Sequence, residues 1–375
     1  MKKILFIILL ISVLPLTVYA TDTKEEIISS MENELSDFSN SIPNYIKEII
    51  PEEIFSGDYS SLINGEIGYK TFFDLALDSI LAGIPSVLNS TSLILISVII
   101  SSLFNTMSND LEASMLKESY NLCSSLCIAL SVFNIVKIIS KSALTFMNTL
   151  CVTMNAFAPI MTVINIFEGK LTTAALGNAS MMMFIALIEN IIIYFLVPII
   201  NISMIFSIIK SISGDADFGG ITKLVKNTFV TLTVFIMMIF SFVFSFQSTL
   251  TQSADSLSLK TAKFAVGSFI PIVGPSISEA LRTVTASVAL VKSSLGVLGL
   301  ICVLLLTLPS VISVYLHKLF LDISAALSGM IGCEKEKGII MDASQICGFI
   351  LAMIACTSVF FILILTIFIK TAAVA

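Results

Sequence analysis

Seven apolar stretches, at 87–107, 122–139, 143–167, 174–209, 224–246, 286–315 and 339–369, constrain this 375-residue chain more than any motif in it. Each is long enough to cross a hydrocarbon core of about 30 Å as a helix. Backbone polar groups inside lipid must be satisfied within the protein, and a continuous helix does this residue by residue. Composition agrees: 56% of residues are hydrophobic, 12% are charged, Trp is absent and mean hydropathy is +1.01, outside the range of soluble domains. The expected fold class is therefore all-α, a polytopic membrane protein with about seven transmembrane helices over 86–375.

The stretch at 174–209 is too long for one straight crossing and contains Glu189, Asn190 and Pro198. It is either one kinked helix or two helices joined at Glu189 and Asn190. An ionisable group within an apolar run is costly and generally faces a bundle interior or a wet cavity, so Glu189 and Asn190 are candidate intramembrane polar residues. If the stretch is two helices, Glu189 lies at a turn near the headgroups. Lysines in the short loops divide almost evenly between the two sides, so charge bias does not separate the two topologies.

The N-terminus is a different object. Lys2 and Lys3 precede a short apolar core, and Val18-Tyr19-Ala20 places small residues at −3 and −1 of a cleavage site, which predicts a signal peptide over 1–20. Residues 21–85 then form an acidic extracytoplasmic segment. Between 21 and 78 there are 13 acidic residues against three lysines. Ile28, Met31, Leu35 and Phe38 fall at helical spacing, and Pro43 and Pro51 break the pattern. This acidity argues against nucleic acid and against electrostatic attraction to anionic lipid.

Between the fifth and sixth stretches the chain is punctuated by glycine and proline, in Lys263-Phe-Ala-Val-Gly267-Ser-Phe-Ile-Pro271-Ile-Val-Gly274-Pro275. Prolines remove backbone donors, and glycines allow close approach, so a helix should break near Pro271 to Pro275. A re-entrant or broken-helix element is thus expected near 264–280. Glu279 and Arg282 follow, and Arg282 is the chain's single arginine. Lys263, Gly267, Pro271, Gly274, Pro275, Glu279 and Arg282 form the candidate structural or functional motif.

Catalytic chemistry finds little support. The lone histidine, His317, precedes Lys318 at the end of a span, where a helix-end residue is the ordinary reading. There is no phosphate-binding glycine loop with its lysine and no His-Glu-x-x-His. The seven cysteines lie mostly in apolar segments without a Cys-x-x-Cys pair, like small hydrophobes rather than metal ligands. No enzyme, cofactor or metal is expected. Small residues at Gly296 and Gly299, and from Ser324 to Gly329, favour close helix packing.

The export signal, the acidic segment, the run of spans and above all Lys263 to Pro275, followed by Ile277-Ser-Glu-Ala-Leu-Arg-Thr-Val284, resemble the stage III sporulation protein AE family of endospore-forming Firmicutes. The resemblance covers the whole chain. It implies a multi-pass protein of the mother-cell membrane around the forespore, a subunit of a channel or secretion-like complex required for endospore development. Its implied partners are the other membrane proteins of the sporulation operon and a forespore membrane protein, besides the lipid bilayer. The residues alone leave a second class open, a secondary transporter whose broken helices line a substrate site. Such a transporter should carry internal repeats, and no second copy of the Pro-Ile-Val-Gly-Pro element is found.

Overall fold

The computed structural model describes residues 33–50, 69–108, 114–213, 219–269 and 274–370. They are almost wholly helical, with no strand among the described residues. Two short helices, α1 (33–41) and α2 (Asn44–Lys47), precede α3 (Tyr69–Ser108) and α4 (Ser114–Phe167). Next come α5 (Leu171–Ile191), a π-helical turn (Ile192–Leu196) and α6 (Val197–Ser213). Three long helices complete the chain: α7 (Gly219–Phe269), α8 (Gly274–Met330) and α9 (Glu334–Lys370). Residues 1–20, read as a signal peptide, and Pro271 lie outside the described residues.

Among the described residues six helical stretches are long and apolar enough to cross a membrane. The difference from seven arises in α4, where the stretches at 122–139 and 143–167 join into one helix. Lys137, near the end of the first, and Lys141, between the two, are exposed. That gap lowers hydropathy but contains no Gly or Pro, and lysine is a good helix former, so nothing in it ends a helix. The stretch at 174–209 is likewise continuous through Glu189 and Asn190. Its irregularity starts two residues after Asn190, as the π-helical turn ahead of Pro198. Proline cannot donate to the carbonyl four residues back and clashes with it, and a wider turn accommodates both faults.

The bundle is held by registers that can be read from side-chain contacts. The site of a Gly299 Cβ lies 3.1 Å from Leu365 on α9 and 3.1 Å from Phe157 on α4, and a Gly296 Cβ would strike Ile369. The small residues therefore serve close packing within the chain. Thr307 donates to Ser358 at 2.9 Å, continuing the antiparallel α8–α9 register. Phe184 of α5 stacks on Phe360 at 3.4 Å, and Phe240 of α7 lies 4.9 Å from Phe184. These rings, with Phe361, occupy the middle of the bundle.

The same registers align uncharged stretches of α8 and α9 at one level. In α8, residues 293–316 carry no charge, bounded by Lys292 at one end and by His317 and Lys318 at the other. In α9 the uncharged stretch is 343–369, between Asp342 and Lys370. Twenty-four helical residues span about 36 Å, close to a hydrocarbon core. α3 runs parallel to α8, with Gly83 against Leu316 and Cys333 Sγ 4.0 Å from the Val98 carbonyl.

Candidate functional site

At the Lys292 end of this level, polar groups converge in a way no local pattern announces. α4 closes at Gly169, whose φ of 75° lies in the left-handed region. The Lys170 N–H donates to the Asn165 carbonyl at 2.8 Å and the Gly169 N–H to the Ile166 carbonyl at 2.9 Å, a Schellman closure that needs glycine at this position. The turn aims Asn165 and Glu168 inward together. Lys292 of α8 donates to Asn165 Oδ1 at 2.7 Å and to Glu168 Oε2 at 2.8 Å. Lys170 lies 3.0 Å from the same carboxylate oxygen. The Lys292 ammonium also sits 4.9 Å from the centre of the Phe368 ring, a cation–π contact.

Lys292 has no solvent exposure at all, which for an ammonium group is sustained only by pairing and hydrogen bonding. Glu168 Oε1 has no hydrogen-bond partner. Beside the cluster, the Asp255 carboxylate of α7 caps the start of α5. It accepts from the Thr172 N–H at 3.1 Å, the Thr173 N–H at 2.8 Å and the Thr173 hydroxyl at 2.6 Å. A carboxylate at a helix N-terminus satisfies orphan donors and complements the helix dipole. Two cross-links thus fasten α7 and α8 to the α4–α5 turn.

Between α4, α5, α7 and α9 lies a cavity of about 40 Å³, walled by Asn165, Thr173, Asn178, Gln247, Ser248 and Thr251 with apolar neighbours. It has room for water-sized occupants. Asn178 Oδ1 is buried there without a protein partner.

The opposite end of the level carries carboxylates instead. Glu336 accepts from Ser101 at 2.8 Å and Asp342 from Ser207 at 3.1 Å. Asp322 accepts from Ser344 and Lys318. His317 Nδ1 is 2.8 Å from the Ser313 carbonyl, but the residue is buried within α8, thirteen residues before its end at Met330, so the helix-end expectation is not met: α8 runs on unbroken past His317 and Lys318.

The residues singled out from sequence are not brought into either cluster. Lys263 and Gly267 lie in the last turns of α7, and Gly274, Pro275, Glu279 and Arg282 in the first turns of α8. Residues 270–273 between them lie outside the described residues. Asp255 and Lys292 mark the level of the α4–α5 turn, so α7 continues for residues 256–269 and α8 begins at 274, putting these two helix ends about 20–27 Å from that turn. Glu189 is half-buried at the end of α5, and exposed Asn190 donates to the Ala186 carbonyl at 2.6 Å. The Glu168–Lys292 pair was missed because its members are 124 residues apart. The available signals were Asn165-x-x-Glu168 before Gly169 and a lone lysine opening a 24-residue uncharged run.

Comparison with known proteins places this bundle. The sequence model described as stage III sporulation protein AE matches residues 56–372. The chain is 25% identical over 367 residues to stage III sporulation protein AE of Bacillus subtilis (strain 168), covering 93% of this chain and 88% of that protein. No solved structure matches. With its six long apolar helices and a family match over most of its length, the chain belongs to the stage III sporulation protein AE family.

Proposed function

We propose that this protein is a non-catalytic membrane subunit of the channel or secretion-like complex that joins mother cell and forespore, needed for endospore development. Membership of a stage III sporulation family carries the reading. The architecture supports it: helices of 51 to 57 residues in α4, α7 and α8 are about 77–86 Å long, well beyond one bilayer, leaving helical surface outside lipid for partners. The proposed location is the mother-cell membrane around the forespore. The proposed partners are other membrane proteins of the sporulation operon and a forespore membrane protein, with the hairpin at Lys263 to Arg282 as a contact region.

The transporter reading gains less support. A repeat-built transporter should carry a second copy of the Pro-Ile-Val-Gly-Pro element, and the sequence holds none. The test is affinity purification of a tagged chain from sporulating cells, with identification of what co-purifies, beside a spore count from a strain lacking the chain. Co-purification of sporulation membrane proteins and a fall in spores are expected. Recovery of the chain alone, with normal sporulation, would overturn the proposal.

A further inference from the structure

Side-chain contacts sort the ends of the long helices into two groups. In the first, Glu168 at the close of α4 meets Lys292 of α8, Asp255 of α7 caps the start of α5, and a Cβ at Gly296 would strike Ile369 near the close of α9. In the second, Ser101 of α3 donates to Glu336 at the start of α9, Ser102 to the Ile331 carbonyl after α8, and Ser207 of α6 to Asp342. α3, α4, α7, α8 and α9 are each unbroken over 37 to 57 residues, and α5 runs into α6 through the π-helical turn. An unbroken helix crosses a bilayer once at most, wherever along it the hydrocarbon lies, so this sorting needs no assigned depth.

Six crossings return a chain to the side on which it began. The union of 122–139 and 143–167 in α4 makes the number even; with seven, the last residues would stand opposite the first. Residues 33–50 belong with the first group. Phe38 of α1 packs 5.2 Å from Phe157 in the last third of α4, α2 touches α8, and α3 carries the chain from there to the second group at Ser101. Lys2 and Lys3 before a short apolar core read as an export signal, and whether it is cut after Ala20 or kept as an anchor, the residues behind it emerge outside the cytoplasm.

We infer that the end of the bundle holding Gly169, the helix ends from Lys263 to Arg282 and Lys370 faces away from the cytoplasm, and that those helix ends dock the acidic extracytoplasmic domain of a membrane protein. They stand about 20–27 Å from the α4–α5 turn. Over 256–291, Lys260, Lys263 and Arg282 outnumber Glu279, and complementary charge selects an acidic face. In the second group the helices are joined by 109–113, 214–218 and 331–333, none longer than five residues, so the long extension belongs to the outer side. The class of partner rests on the channel-complex reading. The side does not, and labelling tests it without any partner.

The experiment uses full-length chains with single added cysteines at exposed positions, Glu48→Cys and Lys260→Cys for the outer end and Lys335→Cys for the inner one, and a further chain with a cysteine appended after Ala375. Intact growing cells that express them are treated with a membrane-impermeant maleimide, and a second sample is treated after detergent solubilisation. Labelling is read residue by residue by mass spectrometry, so native cysteines do not interfere. Reaction needs the thiolate, which forms in water, and the expected result in intact cells is labelling at 48, at 260 and at the appended cysteine on the order of tenfold or more faster than at 335. Labelling at 48 without 260 and the appended cysteine would refute the even crossing. Labelling at 335 alone would turn the bundle over, equal labelling at all four would mean that no bilayer separates the two ends, and protection at 260 that persists in detergent would bury the docking surface. A photo-cross-linking residue incorporated at 260 in sporulating cells should capture a membrane protein with an acidic extracytoplasmic domain. Capture of nothing, of cytoplasmic proteins only, or of other copies of this chain only would overturn the docking surface and leave the side standing. Partners that co-purify with the whole chain yet are not captured at 260 would leave the channel-complex reading intact as well.

Discussion

α7 and α3 cross the same level of the bundle, yet they solve the problem of an exposed surface in opposite ways. α7 exposes phenylalanine, leucine and methionine over some 28 uncharged residues, whereas the first half of α3 exposes Lys70, Asp74 and Asp78 among Phe73, Leu77 and Leu81. Both qualify by length and mean hydropathy as spans, and in both only 22% of the most apolar window is buried. The decisive observation is where each charge falls around and along the helix, and that depends on what the other side packs against.

The predictions bear on this contrast in order of expected size. Both faces hang from the same anchorage, so the largest effect is expected where it is cut. Lys292→Met leaves Glu168 buried with Lys170 as its remaining ammonium partner, and removing one member of a buried ion pair costs about 3–5 kcal/mol. Thermal unfolding of the detergent-solubilised protein should shift down strongly. Adding Glu168→Gln should recover a large part of the loss, since neutralising both members is far less harmful than orphaning one. No recovery in the double variant would mean that Lys292 acts chiefly through packing.

Next in size is a charge on the lipid face. Phe242→Asp should cost about 2.5–3.5 kcal/mol at mid-span, and the chain should accumulate poorly in membranes. Leu77→Asp on the α3 face should accumulate normally, and equal loss in both variants would erase the contrast between the faces. Overpacking inside the bundle comes third. Gly299→Leu must push between Leu365 and Phe157 and should cost about 1–3 kcal/mol, seen as a lower unfolding midpoint at unchanged orientation.

The smallest change is the most discriminating. Asp74→Leu should alter stability by no more than about 0.5 kcal/mol if the face is wet, as for an ordinary surface substitution. A lipid-facing site would be stabilised by several times that amount on losing its charge. The unfolding midpoint in reconstituted bilayers, compared between Asp74→Leu and the unchanged chain, separates the two by size.

Much of the fold was legible before any coordinates. Backbone satisfaction in lipid admits few solutions, so long apolar stretches dictated helices, and Gly296 and Gly299 marked a close crossing that α8 and α9 make. Helix ends were less legible. Lys137 and Lys141 interrupt hydropathy without interrupting hydrogen bonding, which is why two expected spans are one helix. The glycine–proline motif lies where α7 ends and α8 begins, with Gly274 and Pro275 already helical and its middle outside the described residues.

The sequence by itself determined the class of structure, the positions of most spans and the family resemblance, because each depends on local composition or on contiguous residues. Only the tertiary structure decided that Glu168 meets Lys292 across 124 residues, and that Asp255 caps α5. The physical reason is common to both: the energy of a charge depends on its surroundings, and here those surroundings come from helices remote in the chain.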